Sequence, residues 1–575
     1  MKELLLGNAA VARGCYEAGC AVASSYPGTP STEITQSIAE YSEIYSEWAP
    51  NEKVALEVAF GASLAGKRSF TGMKHVGLNV AADPLFTLSY TGVNAGLVLA
   101  VADDPGMHSS QNEQDSRHYA RAAKLPMLEP ADSAECLQFT KYAFEMSEEY
   151  DTPVLVRMCT RIAHSQSVVE VSEREEPRVK EYEKDIPKYV MMPQYAKTRH
   201  QIVEQRMLDL STLAEDAFLN RTEMGGTDIG IVTSGTAYQY VKEVFGQSVS
   251  VLKLGMIYPL PVKLILDFAS KVKRIVVVEE LDSFIEDHCR KIGLSVTGKE
   301  LFPLLGELSP NMVAEKLGVQ VVAGVGIEDD IPPRPPVMCA GCSHRGLFYI
   351  LAKKKATVMG DIGCYSLGAT PPLNSVDTTV CMGASVSSLH GFVRGGGKNA
   401  VCVIGDSTFM HMGINGLVDI AYNGSNSTVL ILDNSTTGMT GHQENPTTGY
   451  NIKGEKVGKI DLEALCRSLG IKRVRVIDPH DLKACDEALT EEMAAQEPSV
   501  IIARRPCVLL KTTKTNPPLT VNAQNCTGCA VCMRIGCPAI SIREKKAEIN
   551  HTLCVGCGIC KQLCKFDAYT GRGEE

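Results

Sequence analysis

Residues 405–434 read GDSTFMHMGINGLVDIAYNGSNSTVLILDN, and the order of apolar and polar residues around this stretch decides the fold class. A short apolar run precedes it, a helix-like segment follows, and a second apolar run occupies residues 428–432. This order predicts two parallel strands of an α/β sheet joined by a helix, with Asp406, Asp433 and Asn434 just beyond the strands. Carboxylate and amide oxygens at the carboxyl ends of parallel strands suit Mg²⁺, which also accepts phosphate oxygens.

The same residues resemble the paired GDG and NN motif of thiamine diphosphate enzymes. The resemblance implies that Asp406, Asn434 and the backbone carbonyl of Thr436 hold a Mg²⁺ ion that bridges the cofactor's diphosphate. The residues that it implies for cofactor and metal binding together are Gly405, Asp406, Ser407, Asn434, Thr436 and Gly438. The alternative is an ordinary strand, turn and helix crossover with polar turn residues.

The size and charge of the chain exclude several classes of protein. At 575 residues it is too long for a single hydrophobic core, so we expect several domains. Its 57 basic and 67 acidic residues give a net charge of −10, which does not favour nucleic acid as a partner. No apolar run approaches the ~20 residues of a membrane-spanning helix, and the run at residues 4–6 is too short for a signal peptide. We expect a soluble cytoplasmic protein with neither a membrane nor a nucleic-acid partner.

Cysteine is unusually frequent, with 21 residues, and eight of them lie in two runs near the C-terminus. In an intracellular chain such clusters bind metal more often than they form disulfides. The runs have the form CxxCxxCx(3 or 4)C, which resembles the bacterial two-cluster ferredoxins. That resemblance implies two 4Fe–4S clusters, each held by three cysteines of one run and the last cysteine of the other. One cluster then has Cys526, Cys529, Cys532 and Cys564, and the other has Cys554, Cys557, Cys560 and Cys537.

Two departures from the ferredoxin pattern leave alternatives open. The first run has four residues before its last cysteine, and the second is followed by Lys565 where the pattern has proline. A three-iron form at one site therefore remains an alternative, and so does zinc. Low-potential clusters of this kind also predict sensitivity to oxygen and an anaerobic setting.

Residues 26–33 read YPGTPSTE and follow a predicted short strand. Two prolines and a glycine restrict this loop, and loops at this position in α/β folds commonly carry the ligand. The loop resembles the YPITPSS signature of the 2-oxoacid:ferredoxin oxidoreductases. The resemblance implies that Thr29 faces the substrate.

A small-residue-rich helix is predicted for residues 51–63, and it carries two candidate glutamates. Glu52 lies nine residues before Gly61, where the thiamine diphosphate families keep a glutamate that bonds the cofactor's aminopyrimidine ring. Such a hydrogen bond favours the imino tautomer, which removes the proton from the thiazolium carbon. Glu57 is the rival by proximity, and a solvated carboxylate on the helix surface is the alternative for either.

A predicted strand at residues 97–102 runs into Asp103. In the pyruvate-specific members of the family that the chain resembles, an arginine just after this strand holds the substrate carboxylate. Asp103 in its place favours a bulkier 2-oxoacid. His108, Arg117 and His118 follow in a polar loop, as candidates for substrate binding or for simple exposure to solvent.

Residues 339–344 read CAGCSH, which by spacing alone is half of a zinc site, although no second pair of ligands follows at a suitable distance. The oxidoreductases carry a similar CxGCxH near the cofactor. Cys364, in the sequence GDIGC, matches a family cysteine that lies close to the thiazolium ring, and the resemblance implies a catalytic role for it. A partly buried structural cysteine is the alternative.

The segments predict five regions in chain order. They are a pyrimidine-type thiamine diphosphate-binding domain (1–168), a charged connecting arm with surface helices (169–224), a transketolase C-terminal-like domain (225–328), a diphosphate-type domain (337–508) and a two-cluster ferredoxin-like α+β domain (519–575). Proline-rich linkers are predicted at residues 329–336 and 511–520.

Over nearly its full length the chain resembles the indolepyruvate branch of the 2-oxoacid:ferredoxin oxidoreductases. The resemblance implies oxidative decarboxylation of aryl pyruvates with coenzyme A to aryl-acetyl-CoA and CO₂, with electrons passing through the clusters to ferredoxin. It also implies a separate beta subunit, in an alpha2beta2 assembly. The alternatives are a thiamine-dependent oxidoreductase for another 2-oxoacid and a non-catalytic iron–sulfur electron carrier.

Overall fold

The computed structural model describes residues 1–176, 180–216, 218–321, 324, 326 and 330–571. The chain divides into two compact units, Met1–Ile327 and Glu328–Glu575. Each unit is built on parallel sheets with helices on both faces, which confirms the predicted multidomain α/β class. Among the residues that the structure describes, no helix combines the length and apolar character needed to cross a bilayer.

The first unit contains two large sheets and their helices. Its strands are β1 (Lys2–Leu6), β2 (Val22–Ser25), β3 (Tyr45–Trp48), β4 (Ser69–Lys74), β5 (Leu97–Asp103), β6 (Met127–Leu128), β7 (Val154–Cys159), β8 (Gln166–Glu170), β9 (Asn220–Glu223), β10 (Gly230–Ser234), β11 (Ser250–Leu254), β12 (Met256–Tyr258), β13 (Ile275–Val278) and β14 (Val296–Thr297). Its helices are α1 (Gly7–Glu17), α2 (Thr32–Ile38), α3 (Glu52–Leu64), α4 (His75–Val80), α5 (Ala82–Thr91), α6 (Arg117–Ala123), α7 (Ser133–Glu149), α8 (Thr160–His164), α9 (Ile186–Tyr189), α10 (Pro193–Leu213), α11 (Gly235–Phe245), α12 (Val262–Ser270), α13 (Phe284–Lys291) and α14 (Pro310–Lys316).

The larger sheet has seven strands in the order β12-β6-β7-β5-β4-β2-β3, and all its pairs are parallel except β12 with β6. Strand β5 reads LVLAVAD and is buried throughout, because helices cover both faces of the sheet. Strands β2, β4 and β5 are parallel, so the loops that follow them lie at one edge. Ligands of open α/β sheets bind at such an edge.

The smaller sheet has the order β14-β13-β10-β11-β9, and only β9 runs antiparallel to its neighbour. Residues 169–176, 180–216 and 218–224, predicted as parts of a surface arm, pack more closely against the rest of the unit than expected. Strand β8 pairs with β1, β9 completes the smaller sheet, and α10 buries Val203 and Leu210. The charged composition concealed these apolar contacts, since they recur on only one face of α10.

The second unit contains a five-stranded sheet and a small cysteine-rich region. Its strands are β15 (Thr357–Met359), β16 (Ala400–Gly405), β17 (Thr428–Asp433), β18 (Arg473–Ile477), β19 (Ser499–Arg504), β20 (Leu519–Val521), β21 (Ile540–Arg543), β22 (Lys546–Ile549) and β23 (Tyr569–Gly571). Its α-helices are α15 (Arg345–Lys354), α16 (Ala384–Arg394), α17 (Asp406–Thr408), α18 (Ile414–Asn423), α19 (Leu462–Ser468), α20 (Leu482–Met493) and α21 (Ile559–Leu563). Short 3₁₀ turns span Cys364–Ala369, Gly438–Thr440 and Val531–Ile535, and a π-type turn spans Phe409–Gly413.

The five-stranded sheet is wholly parallel, with the order β15-β16-β17-β19-β18. The two strands predicted around the opening stretch are thus confirmed as neighbours, β16 and β17. Asp406 follows the first directly, and Asp433 ends the second. Of the predicted linker at 329–336, Asp329 lies outside the described residues, and residues 330–336 are exposed without regular structure.

The cysteine-rich region has two antiparallel strand pairs, β20 with β23 and β21 with β22. Buried Ile535, Ile559 and Tyr569 form its centre, in the same core as the helices α15 and α20. Its two strand pairs and helix α21 give the small α+β region that the sequence predicted.

Candidate functional site

Asp406 begins the helical segment after β16, and its side chain is buried. Its carboxylate accepts hydrogen bonds from the backbone N–H of Ser407 (2.9 Å) and from the hydroxyl of Thr447 (3.3 Å). Burial, together with the nearby carboxylate of Asp433, raises the pKa of Asp406 to about 7. The carboxylate of Asp433 accepts a hydrogen bond from Arg504 Nε at 2.7 Å. A buried carboxylate with a raised pKa is stabilised in its ionised form by a cation placed beside it.

Polar atoms of three residues meet at this position. The side-chain amide of Asn434 faces Asp406 Oδ1 at 3.2 Å and the carbonyl oxygen of Thr436 at 2.8 Å. With its oxygen on that side, the amide completes a set of carboxylate, amide and carbonyl donors, which Mg²⁺ accepts. With the amide turned over, its NH₂ group donates to both oxygens instead. The residues therefore fit a hard divalent cation, and they are the three that the sequence predicted.

The residues that flank the cation site are held closely. Gly405 ends β16 against Tyr365, whose ring atom Cε1 lies 2.8 Å from the place that a Cβ on Gly405 would take. Any larger residue there would push the ring away. Ser407 Oγ accepts a hydrogen bond of 3.0 Å from the hydroxyl of Thr437, which links the first turn after β16 to the loop after β17.

Cys364 lies beside the same site. A Cβ on Gly438 would be 3.6 Å from Cys364 Sγ and 3.8 Å from Asn434 Nδ2, so Gly438 stands next to both. Cys507 approaches from the segment after β19, and its backbone N–H donates to the carbonyl of Asn434 at 2.9 Å. Two cysteines distant in sequence thus border the cation site.

The cysteines of the CxxC segment complete a group of four. Burial, Cys507 and Cys339 raise the pKa of the Cys364 thiol. Burial, Cys339 and Cys364 raise that of Cys342 to about 12, and Cys339 also acts on Cys507. The spacing in sequence offers no second pair of ligands for Cys339 and Cys342, whereas the fold adds the thiols of Cys364 and Cys507 to their surroundings. Four thiolates are the donor set of a 4Fe–4S cluster.

The segment at residues 339–342 also packs on the cysteine-rich region of the same unit. Arg345 is fully buried, and its Nη1 donates to the carbonyls of Ile535 (2.8 Å) and Gly536 (2.6 Å). Burial raises the pKa of Cys537, and a backbone hydrogen bond from the segment opposes that shift. The CxxC segment therefore lies between the cation site and the C-terminal cysteines.

The eight C-terminal cysteines fall into two groups of four. The first group lines one cavity together with Tyr569 and consists of Cys526, Cys529, Cys532 and Cys564. In the second group, burial and the neighbouring thiols raise the pKa values of Cys557 and Cys560, and the members are Cys537, Cys554, Cys557 and Cys560. Each group takes its fourth cysteine from the other run, as the sequence predicted. Sulfur ligands in two sets of four fit iron–sulfur clusters.

In the first unit, the structure separates the two candidate glutamates on α3. The side chain of Asn51 caps the helix by accepting from Val54 N (2.9 Å), which makes Glu52 the first helical residue. Glu52 is 4% exposed. Glu57 lies half-exposed on the other face and forms an ion pair with Lys53. These surroundings favour Glu52 as the functional glutamate, which stays a prediction.

Glu52 packs so closely on α4 that Gly77 has no room for a side chain. A Cβ on Gly77 would lie 2.6 Å from Glu52 Oε1 and 2.8 Å from its Cγ. We expect Gly77→Ala to displace the Glu52 carboxylate and to lower turnover by about 100-fold, the effect of a ~1 Å misplacement of a catalytic group. Steady-state kinetics and thermal unfolding of the purified variant measure this.

Gly61→Ala is the matched control for that variant. Gly61 lies on the same helix as Glu52, and a Cβ there meets nothing within 4 Å. It should keep its activity and gain about 0.5–1 kcal/mol of stability, because alanine loses less backbone entropy in a helix. Equal turnover of the two variants would show that the position of Glu52 does not matter.

Thr29 lies in a tightly bonded loop. Ser31 donates to the carbonyl of Gly28 from both its hydroxyl and its backbone N–H, each at 2.8 Å. Asn8 Nδ2 donates to the carbonyl of Pro30 at 2.8 Å. Thr29 is only half-buried, in the loop that follows β2 at the ligand edge of the sheet. Its contact with substrate stays a prediction.

Asp103 is fully buried, and its carboxylate accepts from Ser116 N (3.0 Å) and Arg157 Nε (2.7 Å). Its interpretation as a substrate-selecting residue therefore finds no support in the fold. Arg117 is also fully buried and pairs with Asp115 and with Glu279 of the smaller sheet's domain. It ties two parts of the first unit together, so the expectation of a polar-loop residue is wrong for Arg117.

The two histidines of this segment each contact a carboxylate at the surface. His108 Nε2 lies 3.0 Å from Glu307, and His118 Nε2 lies 2.8 Å from Asp282. Both pairs are structural contacts within the first unit.

The chain matches known family models along most of its length. The descriptions are the thiamine diphosphate-binding domain of pyruvate flavodoxin/ferredoxin oxidoreductase (residues 13–212), the indolepyruvate oxidoreductase domain (224–333), the C-terminal TPP-binding domain of thiamine pyrophosphate enzymes (361–503) and a 4Fe–4S binding domain (547–570).

Two archaeal relatives align over almost the whole chain. The indolepyruvate oxidoreductase subunit IorA of Archaeoglobus fulgidus is 40% identical over 98% of this chain and 96% of its own. The IorA subunit of Methanothermobacter thermautotrophicus is 39% identical, over 100% of this chain and 98% of its own. The chain belongs to the IorA family. Among solved structures, a 2-oxoglutarate:ferredoxin oxidoreductase from Magnetococcus marinus shares 18% identity with a TM-score of 0.46, over 55% of this chain and 65% of that one.

Membership of the IorA family confirms the coarse function predicted from the motifs. The chain is the alpha subunit of a thiamine diphosphate-dependent 2-oxoacid:ferredoxin oxidoreductase, and it is an enzyme that also carries iron–sulfur binding. IorA proteins are subunits, so a partner subunit is part of the enzyme, and the 4Fe–4S domain serves electron transfer to ferredoxin.

Sequence reasoning missed two residues that the structure brings to these sites. One is Cys507, whose place just beyond β19, at the carboxyl edge of a parallel sheet, is the signal in the sequence that could have found it. The other is Lys74, the last residue of β4, which also lies at the carboxyl edge of a parallel sheet, in the first unit.

Proposed function

We propose that this subunit, with its beta partner, oxidises aryl pyruvates such as indolepyruvate. The reaction joins the acyl group to coenzyme A, releases CO₂ and passes two electrons, one at a time, to ferredoxin. The observation that carries the substrate assignment is the full-length likeness to IorA proteins together with the indolepyruvate oxidoreductase domain at residues 224–333. A cytoplasmic location and the alpha2beta2 assembly belong to the same proposal.

The residues described above divide the work of cofactor binding. Asp406, Asn434 and the Thr436 carbonyl would hold Mg²⁺ against the diphosphate, and buried Glu52 would hold a proton at the aminopyrimidine ring. Thiamine diphosphate supplies the electron sink that allows the carboxylate to leave as CO₂. Thr29 would donate a hydrogen bond to the bound 2-oxoacid.

The four cysteines near the cation site extend this proposal to the electron route. We assign to Cys339, Cys342, Cys364 and Cys507 a third iron–sulfur cluster beside the two C-terminal ones. A nucleophilic role suits Cys364 poorly, because burial raises its pKa, whereas a metal keeps a thiolate deprotonated. The contact of the CxxC segment with the cysteine-rich region would give electrons a continuous path.

Iron content tests the third cluster. We expect about 12 iron atoms per chain for three cubane clusters, after anaerobic reconstitution, and about eight after Cys507→Ser. Cys381→Ser is the matched control, because Cys381 is an exposed cysteine of the same unit outside the group. About eight iron atoms in the unmodified chain would contradict the third cluster and leave the C-terminal pair in place.

The substrate assignment is tested with the complete enzyme. The chain, its beta subunit, thiamine diphosphate, Mg²⁺ and coenzyme A are mixed anaerobically with indolepyruvate, phenylpyruvate, pyruvate or 2-oxoisovalerate. Bleaching of the iron–sulfur absorbance with the aryl acids is expected, and it should require coenzyme A for repeated turnover. Bleaching only with an aliphatic acid would replace the substrate and keep the reaction class. No bleaching with any acid would favour a non-catalytic electron carrier.

A further inference from the structure

Lys74 is a buried lysine at the ligand edge of the seven-stranded sheet. It is the last residue of β4 and is 8% exposed. Because β4 lies between the parallel strands β2 and β5, Lys74 stands between the loops that follow those two strands. This edge is where open α/β sheets bind their ligands.

The side chain of Lys74 contacts both loops. A Cβ on Gly28 would lie 3.1 Å from Lys74 Cγ and 3.2 Å from its Cδ, so the lysine stem runs along the loop that contains Thr29. Its Nζ donates to the carbonyl oxygen of Ser109, in the loop after β5, at 2.8 Å. The ammonium group therefore lies close to the loop predicted to face the substrate.

This ammonium group has hydrogen-bonding capacity to spare. An ammonium carries three donors, and Ser109 takes one of them. Asp104 and Glu52 act on Lys74 through space, but no carboxylate of the described residues lies within ion-pair distance of Nζ. Asp104 is bound instead by Ser109 N (2.8 Å) and Ser110 Oγ (2.6 Å). A buried cation without a contacting anion carries an uncompensated desolvation cost, which a bound anion would offset.

We propose that Lys74 binds the carboxylate of the 2-oxoacid substrate. This inference rests on the function proposed above, since a 2-oxoacid is an anion that must be held beside Thr29 and Glu52. Lys74 orients the carboxylate for its departure as CO₂ and selects acids over their neutral analogues. The competing explanation is that Lys74 only ties down the loop after β5.

The test compares charge on the ligand with charge on the protein in the complete enzyme. Indole-3-propionate lacks the reacting carbonyl, so it serves as an inert inhibitor, and its methyl ester lacks the charge. We expect the acid to inhibit about 10- to 100-fold more strongly than the ester, the effect of a hydrogen bond between charged groups. Lys74→Met should abolish this preference and raise KM for indolepyruvate by a similar factor, with a smaller change in kcat.

Three control variants separate charge from structure. Lys74→Arg keeps the charge and should retain part of the preference. Lys67→Met removes an exposed lysine just before β4 and should change nothing. Ser110→Ala removes the hydrogen bond that the Ser110 hydroxyl donates to Asp104 in the same loop. It therefore loosens the loop while Lys74 stays charged.

A pH series on the unmodified enzyme gives an answer even if the Lys74 variants do not fold. Burial lowers the pKa of Lys74 to about 8, and Asp104 and Glu52 oppose that shift. Lys74 is protonated below this pH and neutral above it. The inhibition constant of the acid should therefore rise above pH 8, while that of the ester stays flat. The titratable groups that face Lys74 are Glu52, Asp104 and neutral His75, whose own pKa is lowered by burial.

Each outcome decides between the explanations. An unchanged preference for the acid in a folded Lys74→Met enzyme overturns the inference, as does a preference that is independent of pH. Loss of the preference in Ser110→Ala as well as in Lys74→Met would assign Lys74 to loop structure. If the unmodified enzyme oxidises no 2-oxoacid, the proposed function fails as well, and that result is distinct because it precedes any substitution.

Discussion

Asp406→Asn should weaken the binding of Mg²⁺ and thiamine diphosphate by at least about 100-fold, and turnover should fall with it. Changing a residue that only supports a metal ligand already lowers metal affinity or activity about 10- to 100-fold. The loss of a carboxylate ligand should therefore lower the affinity at least as much. Calorimetric titration of the purified chain with cofactor and Mg²⁺ measures the affinity directly, without relying on turnover.

The same substitution should stabilise the chain when cofactor is absent. The pKa of Asp406 is raised from 3.8 to about 7 by burial and by Asp433, so this group increasingly disfavours the folded state as the pH rises from 3.8 to about 7, and fully above that. A neutral amide removes that cost, which is up to about 4 kcal/mol. Thermal unfolding at pH 8 should show a higher Tm for the variant without cofactor and a smaller rise in Tm when cofactor is added.

Asp419→Asn is the matched control for Asp406. Asp419 lies half-exposed on α18 and contacts His390 at the surface. It should bind cofactor and unfold as the unmodified chain does. Normal cofactor affinity in Asp406→Asn would remove this residue from the metal site.

Glu52→Gln should lower turnover by about 10²- to 10⁴-fold, the usual range for a residue that acts in proton transfer. Glutamine has the same shape, but its amide does not replace a carboxylate at the aminopyrimidine ring. Cofactor affinity should change only a few-fold, because the metal and diphosphate contacts belong to other residues. Anaerobic single-turnover reduction of the clusters, followed after mixing with indolepyruvate, measures the step.

Glu57→Gln is the comparison for Glu52, since it lies on the same helix with its carboxylate at the surface beside Lys53. Full activity is expected for it. Retained turnover in Glu52→Gln would falsify the assigned role, and a loss in Glu57→Gln alone would transfer the role to that residue.

The motif around Asp406 was predictable because its spacing reflects local geometry. A strand of apolar residues, a turn with a carboxylate and a second strand are consecutive in sequence, so the fold needed only to pair β16 with β17. The C-terminal cysteine runs were readable for the same reason. Cys364 was identified through the family resemblance alone, and the residues that surround it in the fold were not predicted.

The four-cysteine group and the environment of Glu52 depend on contacts between distant segments. Cys507 lies against the loop after β17, at Asn434, because β19 is next to β17 in the sheet, which strand order decides and local pattern does not. Glu52 and Glu57 have the same chemistry, and only the packing of α4 against α3 buries one of them. Asp103 and Arg117 were misread because burial beside opposite charges is a property of the folded chain.

By itself the sequence determined the α/β class, the place of Asp406 and Asn434 just beyond two neighbouring strands, and the two cysteine runs, because these are encoded by residue type and short spacing. Tertiary structure decided which cysteines meet beyond those runs, which glutamate is buried and which lysine stands at the ligand edge. The physical reason is that burial and electrostatic neighbours arise from contacts between segments far apart in the chain, and these contacts set the charge state and accessibility on which chemistry depends.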